Sequence, residues 1–131
     1  MQETVGLTAL QLSILNVLWE RGEATTQDVW VSLTEIRPLA LTTVATVMSR
    51  LERKDVLAHR REGRRYVYRA TVTRSEIRHL KVRELTEHLF GGDSTALVRH
   101  LVQADEIDEE ELARMRALLD AAAPTGRRGG A

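Results

Sequence analysis

The sequence predicts a mainly α-helical protein with one small β-hairpin, and three observations carry that prediction. Apolar residues recur at helical spacing over most of the chain. One stretch, VLAHRREGRRYVYRA at 56–70, switches to a strand-like period around a single glycine. The 131 residues include no cysteine, so packing rather than a disulfide framework must hold the chain together.

The first helix is read from LTALQLSILNVLWER, residues 7–21, where Leu7, Leu10, Ile14, Leu15, Leu18 and Trp19 fall on one stripe. Thr8 followed three residues later by Gln11 forms a capping box, and Gly22 is a suitable stop. A second helix follows in TTQDVWVSL, with Thr25 and Asp28 as its box and Val29, Trp30 and Leu33 turned inward. Pro38 disfavours helix at the residue before it and so belongs to the connection. The third helix spans LTTVATVMSRLERKD. Its apolar stripe is Val44, Val47, Met48 and Leu51, with Thr42, Thr46, Ser49, Arg50 and Arg53 on the other side. β-branched residues are poor helix formers, so this helix must depend on packing.

The hairpin is expected to turn at Glu62-Gly63, with Gly63 supplying a positive φ. Tyr66 and Tyr68 lie two apart and are expected to pin one strand face to the helices. Three helices and then a hairpin is the order of a winged helix-turn-helix, whose third helix reads DNA. That assigns 1–72 to an N-terminal DNA-binding domain.

Beyond it, Thr73 and Glu76 make a capping box for a helix with Ile77, Leu80, Leu85 and Leu89 inward, closed by Gly91-Gly92. Residues 94–103 and a helix capped by Asp108 with Glu111 complete the set. Their apolar positions are Leu97, Val98, Leu101 and Val102, then Leu112, Met115, Leu118 and Leu119. Three such helices are a thin basis for a core, so 73–122 is expected to be a helical dimerisation region. Its predicted interface is Leu97, Val98, Leu101, Val102, Leu112, Met115 and Leu119. The tail at 123–131 is expected to be disordered.

A formal net charge of zero conceals an asymmetry. Residues 37–70 carry nine Lys/Arg against three acids, while residues 93–123 carry three against eight. A polyanion partner therefore suits the first half. On the third helix, Thr hydroxyls can bond base edges and Thr methyls can meet thymine methyls. Arg50, Arg53 and Lys54 are placed for phosphates at its end. Around the turn, Arg60, Arg61, Arg64 and Arg65 are candidates for the phosphate backbone or the adjacent minor groove.

Other chemistries find no support. His59, His79, His88 and His100 show no i, i+4 pairing, the acids at 105–111 lack the spacing of a calcium loop, and a helix cap explains them. No metal or cofactor is expected. Nucleophile, P-loop and dinucleotide motifs are missing, so an enzyme is not expected. No apolar run is long enough for a membrane span, and the first 20 residues lack signal-peptide character. A cytoplasmic location is expected.

Three segments taken together, LTALQLSILNVLWERGEATTQDV, LTTVATVMSRLERKDVL and REGRRYVYRA, resemble the penicillinase-repressor family of winged-helix regulators (BlaI/MecI, with the copper-responsive CopY branch). The resemblance covers residues 7–121. It implies a dimeric repressor that occludes a promoter on a dyad operator, with recognition by Thr42, Thr43, Thr46 and Arg50 and wing contacts from the arginines at 60–65. It also points to beta-lactam or cell-envelope stress genes as targets. The family usually has glycine where this chain has Asp55, and Asp is expected to preserve the left-handed cap. In the antibiotic-resistance repressors a sensor's signal leads to proteolysis at an Asn-Phe bond. The matching pair here is His100-Leu101, which makes a signalling protease an implied partner. The copper branch carries a cysteine-rich motif, which this chain lacks. The alternative reading is a winged-helix interaction module whose basic wing binds an acidic protein.

Overall fold

The structure, a computed structural model, describes residues 7–122. The sequence expectation for the tail at 123–131 lies outside them. In chain order the elements are α1 (Ala9–Arg21), β1 (Ala24–Thr25), α2 (Thr26–Thr34), α3 (Leu41–Arg53), β2 (Leu57–Glu62), β3 (Arg65–Ala70), α4 (Arg74–Phe90), α5 (Ser94–Gln103) and α6 (Glu109–Ala122). The chain divides into two compact units between Glu84 and Leu85. That division falls inside α4 and not at 72/73, because Ile77 near the start of α4 is buried in the first unit's core.

Local chemistry explains the helix starts. Both halves of the capping box are present at Thr8/Gln11 and at Thr25/Asp28. The Thr73/Glu76 and Asp108/Glu111 boxes are also formed, with backbone-to-side-chain bonds of 2.8–3.0 Å. α3 differs: its N-cap is Ala40 and no side chain caps it, so packing holds its start. Val44, Met48 and Leu51 are fully buried there, alongside Ile14, Leu15, Val29 and Leu57 from the neighbouring elements. Such side chains contribute about 1.5–3 kcal/mol each on burial, which outweighs the poor propensity of a Thr/Val-rich helix.

The helix ends at Asp55 in a left-handed turn. Asp55 has φ 63, its N–H donates to Glu52 O, and Val56 N–H donates to Leu51 O at 2.9 Å. These are the two bonds of a Schellman motif, so aspartate preserves the cap. Thr71 then fastens the hairpin base, donating its hydroxyl to Asp55 O at 2.6 Å and its N–H to Val56 O.

The sheet corrects three expectations. It has three strands in the order β1-β3-β2, all antiparallel, and not two. β1 pairs Ala24 with Tyr68 and Thr25 with Val67. Second, Glu62 pairs with Arg65, so the loop is Gly63-Arg64 and not Glu62-Gly63. Gly63 has φ 64 and Arg64 stays at negative φ, the sequence requirement of a type II′ turn. Third, only Tyr68 is buried, while Tyr66 is 45% exposed. The two share a face, but Tyr66 stands nearer the turn, where it borders an open cleft instead of the core.

Both tryptophans are half-buried against the core, and each indole N–H is satisfied. Trp19 Nε1 donates to Val72 O at 2.9 Å and Trp30 Nε1 to Leu39 O at 2.8 Å. In the second unit the apolar stripes are only partly covered, with Leu97, Leu101, Leu112 and Met115 half-buried and Val98, Val102, Leu118 and Leu119 exposed. Leu85 and Leu89, expected inward, are 40% and 70% exposed, and no residue of α5 or α6 is buried.

Candidate nucleic-acid interface

Burying Val44, Met48 and Leu51 forces the opposite side of α3 into solvent. Thr42, Thr43, Thr46, Ser49, Arg50 and Arg53 are all exposed there, and Lys54 is half-buried at the C-cap. Arg50 and Arg53 occupy the last turn, where the helix dipole favours cations. The result is a short-side-chain surface in the first turns and a cationic one at the end.

The hairpin stands next to this surface. A cleft of about 410 Å³ is lined by Thr25, Thr26 and Gln27 from the start of α2, Leu41, Thr42 and Ala45 from α3, and Arg64, Arg65 and Tyr66 from the wing. The structure therefore brings Thr42, Arg64 and Arg65 together. Thr43 and Arg50 lie on the same exposed helix but outside this cleft. Leu41, Ala45, Thr26 and Gln27 were not singled out by sequence. No sequence signal marked Leu41, because it stands three and seven residues before Val44 and Met48 and so shares their stripe, yet it is 41% exposed at the start of the helix.

The wing arginines are not equivalent. Arg64 forms no ion pair among the described residues, and Arg65 meets Glu62 only at 4.0 Å. Arg61 lies over the Tyr66 ring, 5.7 Å from its centroid. Arg60 is held by carboxylates: its Nε and Nη2 donate to Glu23 at 3.0 and 2.9 Å, and its Nη1 to Glu62 at 3.4 Å. The hydrogen bond and charge of Arg60 hold the Glu23 carboxyl below its usual range, and the same contacts push the guanidinium further up. Asp28 is also held low, first by the Thr25 backbone N–H and then by Arg21 and Arg65 nearby.

A clasp joins helix to wing. His59 on β2 donates from Nδ1 to Glu52 Oε2 on α3 at 2.6 Å. Its ring stacks on Tyr66 with centroids 4.2 Å apart and tilts against Tyr68 at 5.4 Å. Tyr66 is thus held by stacking and not by burial. Burial pushes the Tyr68 phenol up, with Glu52 adding to the effect.

An exposed Thr-rich helix, a basic wing beside it and a third strand between helices form the arrangement of a winged helix-turn-helix. Residues 7–121 match the family described as Penicillinase repressor. The chain belongs to the penicillinase-repressor family. This is a family of transcriptional repressors and not of enzymes. Transcriptional regulator BlaI of Mycobacterium tuberculosis is 32% identical over 130 residues, 98% of this chain and 94% of that protein. The penicillinase repressor of Bacillus licheniformis is 22% identical over 120 residues, 92% of this chain and 94% of its own.

Among solved structures, the DNA-binding domain of the repressor BlaI superposes with a TM-score of 0.51 at 26% identity. It covers 56% of this chain and 89% of that one. YusO from Bacillus subtilis aligns over 93% of this chain and 80% of its own, with a TM-score of 0.53 at 23% identity, a likeness of fold alone. No helix among the described residues of this penicillinase-repressor relative is long and apolar enough to cross a membrane.

Proposed function

We propose that this chain represses transcription by binding a two-fold DNA operator as a homodimer and occluding a promoter. The observation that carries the reading is the common cleft bordered by Thr42 of α3 and by Arg64 and Arg65 of the wing. Thr42, Thr43, Thr46 and Arg50 read bases in the major groove, while Arg61, Arg64, Arg65 and Lys54 engage phosphates or the adjacent minor groove. Arg60 contributes least of the wing arginines, because Glu23 already occupies its donors.

Dimerisation falls to the second unit, where Leu97, Val98, Leu101, Val102, Leu112, Met115 and Leu119 supply the apolar faces. Val98, Val102 and Leu119 are 41%, 38% and 68% exposed in the single chain, which supports that assignment. A cytoplasmic location fits a DNA partner. The pair that matches the family's proteolysis site, His100-Leu101, lies within α5, where Ala104 N–H donates to His100 O at 2.9 Å. Proteolysis there requires local opening of the helix, since a protease binds extended backbone.

The test compares two sets of variants on operator and random DNA at several salt concentrations. Replacing Arg64 and Arg65 by Ala should weaken all sequences alike and lower the log–log salt slope by up to about 4 × 0.9 for a dimer. Thr46→Ala should lose about 1–3 kcal/mol on the operator and little on random DNA. Equal losses on both DNAs for Thr46→Ala would remove α3 from sequence reading. Failure to bind either DNA at any salt concentration would favour an acidic protein as the partner.

A further inference from the structure

We infer that Leu41 is a specificity-determining residue that reads the 5-methyl group of a thymine seated in the cleft between α3 and the wing. The inference rests on the operator-binding reading and adds the base class that this part of the surface selects. Leu41 is the first residue of α3, and it is 41% exposed although Val44, three residues on, is fully buried. Its side chain and that of Ala45, one turn along the same flank, make an apolar strip within a cleft otherwise bordered by Thr, Gln and Arg.

Two features of the cleft choose its occupant. Arg64 and Arg65 sit on its wing side, and Arg64 has no carboxylate partner among the described residues, so the occupant is an anion. The strip on its helix side is a hydrocarbon surface that offers no hydrogen bond to a base edge. A nucleic acid strand satisfies both sides at once, with a phosphate at the arginines and an apolar group at Leu41. The thymine methyl is the apolar group that a base pair presents in the major groove. Cytosine in the same place would bring no methyl and would set a polar amino group against hydrocarbon, so the strip discriminates as well as attracts.

The test uses the full chain and an operator obtained by selection from randomised duplex DNA. Each thymine of one half-site is replaced in turn by deoxyuridine, which removes the methyl and leaves every hydrogen-bonding group. At one position the replacement should weaken binding by the unmodified chain about fourfold, the value of one buried methyl. Leu41→Ala should bind the thymine operator more weakly by a similar factor and show no further loss on deoxyuridine. Leu41→Met, which keeps an apolar reach, should retain the deoxyuridine effect. Because Leu41 is a surface residue, thermal melts of both variants should match the unmodified chain. A deoxyuridine effect that persists undiminished in Leu41→Ala, or that vanishes only in Thr46→Ala, overturns the inference. Selection that enriches no sequence would instead overturn the operator reading on which it rests.

Discussion

The carboxylate of Glu23 accepts from two nitrogens of Arg60, 37 positions away in sequence, and takes part of the wing's charge out of play. Both side chains are about half exposed, so the pair contributes little to stability and is weakened by salt. Its effect on charge is larger than its effect on folding. Glu23→Gln should release Arg60 to meet a phosphate, raising affinity for DNA of any sequence and steepening the salt slope by up to about 0.9 per arginine. Binding isotherms at several salt concentrations check this, and an unchanged slope would show that Arg60 stays clear of DNA. The pH dependence has a definite sign. Because the folded-state pKa of Glu23 is depressed from 4.5, its contribution is complete above that value and is lost as pH falls through the lower folded value. Glu23→Gln should therefore flatten a small part of the acid limb of the stability curve.

Capping decides where the elements start and stop, and each cap gives a measurable increment. Thr25 ends β1 and caps α2, accepting from Asp28 N–H while Asp28 accepts from Thr25 N–H. Thr25→Ala should cost about 1 kcal/mol in denaturant unfolding. Asp55 holds φ 63 at the junction of α3 and β2. Asp55→Gly should keep or raise stability by up to about 1 kcal/mol, since glycine adopts that conformation freely, whereas Asp55→Val should lower it by about 1–2 kcal/mol. If Asp55→Val unfolded at the same denaturant concentration as the parent, the Schellman turn would be irrelevant to stability. The same junction sets the wing angle, because β2 starts two residues later, at Leu57, and His59 reaches back to Glu52.

For the whole molecule, burial is unevenly shared. The buried hydrophobic residues lie between Leu7 and Ile77, and the helices α5 and α6 bury none. The fragment 1–84 should therefore unfold cooperatively by itself, while 85–131 should not fold as an isolated monomer. Circular dichroism melts of the two fragments decide it. In the full chain, Leu101→Asp with Leu119→Asp should yield a monomer in sedimentation, since each leucine is worth about 1.5–3 kcal/mol when covered. A double mutant that still sediments as a dimer would move the interface elsewhere.

Much of this architecture was legible from sequence because it is written in short-range patterns. The capping boxes at Thr8, Thr25, Thr73 and Asp108 span four residues each, and the stripe of α3 from Val44 to Leu51 spans about two turns. The left-handed cap at Asp55 was legible through the family resemblance, which places glycine there. The exposure of Thr42, Thr46, Ser49, Arg50 and Arg53 follows from that stripe, since whatever is not buried on an amphipathic helix is presented. Tertiary structure alone decided the rest. Two-residue β1 is too short to show a period and exists only because β3 offers it backbone partners. Tyr66 and Tyr68 have the same strand parity, and only tertiary packing puts one in the core and leaves the other on an open cleft. Arg60 looks like Arg64 in the sequence. Folding brings Glu23 to one and leaves the other free to meet an anion, because charge pairing depends on distance in space and not along the chain.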